Sequence, residues 1–312
     1  MFIVMVNSKN QEYSDMCNKM DLNDISLSFV IVEKGNGINP NSFDTYSVNI
    51  SDKSAFKAKL IGNVVDYIKW FRDKKCLAYD PLKHKDKTFE YLEGKLINEF
   101  SDFRKSFGTN LVTNYKDKIT DFDFYVLSIK DSSGKDIRII RKMNGYKKVN
   151  ESGTFACING NKLTQIDDKV IGIDNLVDLI VYDDLIFILN YNSIKNLFNL
   201  RGSFQRQVIN ILKPVKNSKV IDDYDKFERN IRSNERLMNR LISMKRKGIS
   251  FDDPLSNQNN VQNTIKDFDL DVSYKNGQVI FDESSDKESV LNLISDYYYK
   301  TTQNRRKGIV DE

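Results

Sequence analysis

One histidine, one tryptophan, three cysteines and four prolines stand among 312 residues. Each scarcity closes off some chemistry. With His84 alone, a single chain cannot build zinc sites that need two imidazoles, His-Glu-x-x-His metalloproteases or facial triads. Cys17, Cys76 and Cys157 are odd in number and far apart, so no Cys-x-x-Cys pair exists, and they read as reduced thiols of a cytoplasmic protein. Long apolar runs are missing as well. The opening Met-Phe-Ile-Val-Met-Val has no basic residue before it and reads as no signal peptide. The stretch 176–189 is interrupted by Asp178, Asp183 and Asp184, short of the roughly 20 apolar residues that span a bilayer. Neither sign of charge is in large excess: 48 Lys and Arg against 44 Asp and Glu leave a net charge of +4. A nucleic-acid partner therefore has to be sought in where the charges sit, not in their sum.

What is present fits a soluble globular chain, with 40% hydrophobic and 29% charged residues. Its length suits one large domain or two, without metal or disulfide staples. Residues 27–33 predict a strand that stops at Gly35-Asn36-Gly37. Phe56, Leu60, Val64, Ile68 and Phe71 predict a helix over 51–74; Phe89, Leu92, Leu96, Phe100 and Phe103 predict a second over 87–107. After Asp121 the period changes to two. A hairpin, 122–130 with 137–143, leads into strands at 162–166, 170–173, 176–182 and 185–190, an antiparallel meander. Helical spacing then returns over 193–200, over 203–212 before Pro214, and over 223–247, followed by a loop at 252–261. Asn276-Gly277 marks a hairpin between 270–274 and 278–282, and a last helix is expected over 287–298. Blocks of helices and of antiparallel strands argue α+β: a central meander flanked by helices, a long basic amphipathic helix, and a C-terminal hairpin plus helix. The expected domains are an N-terminal α/β region, 1–120, and a second domain, 121–312.

Catalytic motifs are sparse. Gly35-Asn36-Gly37 lacks the third glycine and the helix that would seat a pyrophosphate, so it reads as a turn. Asp80 with Glu93-Gly94-Lys95 has the residue types of a metal-dependent nuclease core. Such groups belong on adjacent strands, whereas the helix expected over 87–107 puts Glu93 and Lys95 on a solvated face. Asp121 and Asp123 would share one face of a strand and could hold a divalent ion, but nothing else converges on them. His84 lies in a run of lysines and reads as a surface residue. No catalytic residue, metal ligand or cofactor is expected.

One segment is distinctive. Between Lys226 and Lys247 lie eight cations against two glutamates, Glu228 and Glu235, a local surplus of six. This helix alone exceeds the whole chain's +4. At 100° per residue, Arg229, Arg232, Arg236, Arg240 and Lys247 fall within about 80° of one another. Phe227, Ile231, Met238, Leu241 and Ile242 lie opposite, and Asp222, Asp223 and Asp225 favour the helix N-terminus. Only 13 of the 48 cations are Arg, and five of those, Arg246 included, fall within 229–246. Guanidinium suits bidentate grip on phosphate or carboxylate. An ordinary surface helix, or one that meets an acidic protein surface, is the competing explanation. Two further basic groups are Arg201 and Arg206 around Phe204 and Gln205, and a tail with Tyr297-Tyr298-Tyr299-Lys300 before Arg305, Arg306 and Lys307.

Over about 60% of its length the chain resembles the KwaB family, the cytosolic component of the Kiwa anti-phage defence system. The resemblance runs through Tyr125-Val-Leu-Ser-Ile, Ile139-Ile-Arg-Lys, the stretch 176–189, Leu197-Phe198, Asn234-Glu-Arg-Leu-Met-Asn-Arg, Asn276-Gly-Gln-Val-Ile-Phe and Leu293-Ile-Ser-Asp-Tyr, to Thr301-Thr302. It departs at Gln303-Asn304-Arg305, where a Thr-Gly turn and a Tyr are common. The resemblance implies binding to duplex DNA without catalysis, action beside the small membrane protein KwaA, and assembly as homodimers or larger homo-oligomers. It brings no catalytic residues.

Overall fold

The computed structural model describes residues 2–48, 54–80, 88–107, 120–143, 155–159, 162–166, 172–252, 254–255, 258–282, 284–300 and 307–309. Compactness divides the chain into two units, Met1–Leu200 and Arg201–Glu312.

The first unit is built on an eight-stranded sheet. In spatial order its strands are β2 (Ser42–Val48), β1 (Met20–Glu33), β5 (Phe124–Asp131), β6 (Asp136–Lys142), β9 (Leu179–Tyr182), β10 (Leu185–Ile188), β4 (Thr88–Glu93) and β3 (Lys75–Ala78). All neighbours are antiparallel except β3 and β4. The period-two segments thus form the centre as β5, β6, β9 and β10. Helices α1 (Phe2–Lys19) and α2 (Ser54–Phe71) pack on one face, where Tyr13, Met16 and Ile68 meet Phe29, Leu127, Ile139 and Phe187. The alternate residues point the other way, toward α3 (Phe100–Lys105) and α4 (Tyr191–Leu197). There the Phe103 ring lies 5.1 Å from Phe43 and 5.3 Å from Phe198. With both faces covered, central strands such as Leu185–Ile188 are buried at every position.

Several expectations are corrected. The helix expected over 87–107 is instead strand β4, a single 3-10 turn at Gly94–Leu96 and the short α3. Phe89 and Leu92 are both buried because they serve opposite faces of the sheet, and that two-sided burial imitates helical spacing. The strand of 27–33 extends back to Met20 and is irregular between Asp21 and Ile25. Strand 162–166 forms, but as β8 (Lys162–Ile166) in a separate ribbon with β7 (Phe155–Asn159), not in the meander. Of 170–173, the last two residues lie outside any strand and the first two lie outside the described residues. The sheet also crosses residue 120, since β1 pairs with β5 and β4 with β10.

The second unit contains α5 (Leu200–Ser218), α6 (Tyr224–Ser233), α7 (Glu235–Arg246), α8 (Gln258–Asp267) and α9 (Lys287–Ile294). Two ribbons accompany them: β11 (Ser273–Lys275) with β12 (Gln278–Ile280), and β13 (Tyr298–Lys300) with β14 (Lys307–Ile309). The core joins Val208, Leu212, Phe227, Leu241, Val279 and Val290. Asn276 and Gly277 both have positive φ, 54° and 83°, as an Asn-Gly hairpin turn requires. Helix α5 runs through Pro214 instead of stopping before it. Buried Leu212 and Val215 on either side of the proline hold that turn against its cost. The last helix ends at Ile294, not 298, and α8 begins inside the expected loop at 252–261.

Candidate nucleic-acid interface

The basic segment is two helices, not one. Asn234 is extended (φ −103°, ψ 108°) and its side chain accepts from the Leu237 amide at 3.2 Å, capping α7, as Asp223 caps α6 through the Lys226 amide at 3.1 Å. Tyr224, Phe227 and Ile231 bury one side of α6; Leu237, Met238, Leu241 and Ile242 bury one side of α7. The Phe227 ring meets Phe281 edge-on at 5.2 Å. The break at Asn234 interrupts the single 100° progression on which a continuous stripe depends.

The arginines consequently differ from one another. Arg229 is exposed, and no hydrogen bond or ion pair engages it among the described residues. Arg232 reaches back one turn to Glu228 at 3.2 Å. Glu228 also accepts from the Tyr224 hydroxyl at 2.9 Å; burial and then Glu228 push that phenol above its ordinary range. Arg236 is 70% exposed and meets Glu288 of α9 at 3.3 Å. Arg240 is only 11% exposed: one guanidinium nitrogen meets the same Glu288 at 2.5 Å, another donates to Asn292 at 3.1 Å, and the group lies 5.9 Å from the Tyr297 ring. An outward-facing Arg240 is thus corrected. Its partners lie 48 and 52 residues away in sequence, too far for local spacing to reveal. Lys245 and Arg246 are exposed at the end of α7, and Lys247 is half-buried as its cap. In the tail, Tyr297 is buried core rather than a stacking platform. Arg305 and Arg306 lie outside the described residues, and Lys307 opens β14 opposite Lys300.

The candidate catalytic groups stay apart. Asp80 follows β3, and Glu93 ends the parallel neighbour β4, so the objection that Glu93 lies in a helix is overturned. Even so, Glu93 is paired with Lys95, 77% exposed, and no group of three or more potential metal-ligating His, Cys, Asp or Glu occurs among the described residues. Glu90 is the perturbed carboxyl here: burial, and then Asp80 beside it, push it up to about 7, against a hydrogen bond from the Asp80 amide. Asp123 precedes β5 and accepts from the Val32 amide at 2.9 Å, pinning β1 instead of forming a pair with Asp121. His84 lies outside the described residues. A further arginine, which sequence reasoning passed over, sits at the centre of the sheet's own network. Arg141 donates to Asp174 at 2.6 Å and to Asp178 at 2.7 Å, and Asp178 also accepts from the Lys142 amide and the Asn190 side chain.

A family model described as Kiwa protein KwaB-like matches residues 119–304, well over half of the chain. The chain belongs to the KwaB-like family. Membership places it in Kiwa anti-phage defence. The KwaB-like match spans the central strands, α6, α7 and α9 with Glu288, and ends just before Arg305. No curated protein and no solved structure matches the chain. Among the described residues, no helix of this KwaB-like chain is long and apolar enough to cross a membrane.

Proposed function

We propose that this KwaB-like protein binds duplex DNA through phosphate contacts, without catalysis, and works with a membrane-embedded KwaA-like partner as a homodimer or larger homo-oligomer. The observation that carries the reading is the set of exposed cations on α6 and α7: Arg229, Arg236, Lys245 and Arg246. Arg232, Arg240 and Lys247 support that surface from below, and the basic tail Arg305, Arg306 and Lys307 extends the same chemistry. Contacts to the backbone give affinity without base readout, which suits a defender that meets arbitrary invading DNA.

With Arg232 and Arg240 engaged internally, about three or four phosphates remain for each protomer to neutralise, and log K should fall with log salt at a slope near −3. The test is fluorescence anisotropy on two unrelated labelled duplexes across a salt series. The triple reversal Arg229→Glu, Arg236→Glu, Arg246→Glu is expected to weaken both complexes by roughly 100-fold or more, with little change in melting temperature. Undiminished affinity overturns the assignment. A second reading has its own support: Arg232, Arg236 and Arg240 already hold carboxylates, the chemistry of an acidic protein surface. Under that reading the wild type shows no duplex affinity at physiological salt, and the same reversal changes the mass measured by light scattering.

A further inference from the structure

The N-termini of α7 and α9 meet at a shallow concavity of about 340 Å³, lined in part by Asn234, Arg236, Lys287 and Glu288. Arg236 and Arg240, one helical turn apart, reach the two oxygens of one carboxylate: Arg236 holds Oε2 and Arg240 holds Oε1 of Glu288. Two guanidiniums on two oxygens of a single anion is also how two arginines hold the non-bridging oxygens of a phosphate. The α9 cap does not need Glu288, because the Asp286 side chain already accepts from the Glu288 amide at 3.0 Å. Nor does Arg240 depend on it alone, since Asn292 and Tyr297 also fix that side chain. Arg236, 70% exposed and bound at 3.3 Å, has only a solvated ion pair to give up, and such pairs are weak.

We propose that Glu288 is an internal mimic of phosphate: its carboxylate occupies the seat between Arg236 and Arg240 and competes there with the DNA backbone, holding duplex affinity below what α7 could deliver. The proposal rests on the phosphate-binding reading of this surface. Glu288→Gln keeps the length of the side chain and an acceptor for Arg240, but raises the trio's charge from +1 to +2. One more phosphate contact then forms. The salt slope should steepen by about 0.9, and affinity near 0.1 M salt should rise roughly eightfold.

Four proteins decide it, each titrated with the same duplexes over a salt series: wild type, Glu288→Gln, Glu288→Gln with Arg236→Gln, and Asp225→Asn. The last makes the same charge change at an exposed α6 carboxylate that is paired with Lys216 and lies outside the seat. Glu288→Gln is expected to tighten binding and steepen the slope, Arg236→Gln to cancel both gains, and Asp225→Asn, which releases no arginine pair for a further phosphate, to leave the slope unchanged. If wild type binds and Glu288→Gln behaves like Asp225→Asn, the mimic is overturned while the phosphate reading stands. If none of the four binds even at low salt, that reading falls and takes the mimic with it. Should the glutamine destabilise α9, Glu288→Asp places its carboxylate one methylene short of the seat; tightening supports the proposal, and its absence overturns it.

Discussion

Arg141 in the sheet and Arg240 on α7 are equally sheltered, each 11% exposed, yet their carboxylate partners are not: Asp178 is 1% exposed and Glu288 is 33%. Asp178 is saturated by the Arg141 guanidinium, the Lys142 amide and the Asn190 side chain. Burial opposes the charge on Arg141, but its hydrogen bonds to Asp174 and Asp178 prevail and hold its pKa above the ordinary value; burial opposes the charge on Asp174 too, but hydrogen bonds from Arg141 and the Leu176 amide outweigh it and lower that carboxyl's pKa. Glu288 keeps an edge toward solvent and shares itself between a sheltered and an open arginine. The contrast teaches that arginine density does not locate a binding surface. What separates a staple from a site is whether the anion facing the arginine can leave.

Three measurements put that contrast at risk. Asp178→Ala strands the Lys142 amide and the Asn190 side chain and leaves Arg141 with Asp174 only; the expected loss is about 3–5 kcal/mol in urea unfolding. A loss below about 1 kcal/mol would show that the network is no staple. Arg240→Ala should cost less, about 2–3 kcal/mol, because half-open Glu288 can turn to water and Arg236. A cost above that of Asp178→Ala would invert the comparison. The smallest effect belongs to Glu90, a sheltered carboxyl whose pKa burial and then Asp80 push up. Its pKa in the fold, about 7, lies above the ordinary 4.5, so its stabilising contribution is complete below about 4.5 and is lost as pH rises through 7. Glu90→Gln should therefore flatten that decline and gain on the order of 1–2 kcal/mol at pH 8, checked by melting curves at pH 5 and 8. Equal stability of the two proteins at both pH values would refute it.

The sequence reveals the fold where one periodicity rules. Strands β5 and β6 and the Asn276-Gly277 hairpin are legible because alternation and a φ-specific turn are local properties. Strand β4 is illegible because Phe89 and Leu92 serve two different cores, which erases the alternation that marks a half-buried strand. Pro214 misleads in the opposite sense, since its local cost yields to burial of Leu212 and Val215. At the candidate surface, the concentration of arginine is visible along the chain, whereas its division into exposed Arg229 and Arg236 and inward Arg240 is not. That division depends on Glu288 and Asn292, brought to α7 by a helix some fifty residues downstream.

The order of strands also sets a timetable. Strands β1 and β4 leave the ribosome early, but the second neighbour of β1 begins at Phe124 and the antiparallel neighbour of β4 only at Leu185. At bacterial rates of elongation, β4 spends roughly 5–20 s without that partner, presenting Phe89 and Leu92 with at least one sheet edge unpaired. The N-terminal strands brace the two edges of the family's central meander, so the eight-stranded sheet cannot be completed in order of synthesis: β4 joins the rest of it only through β10.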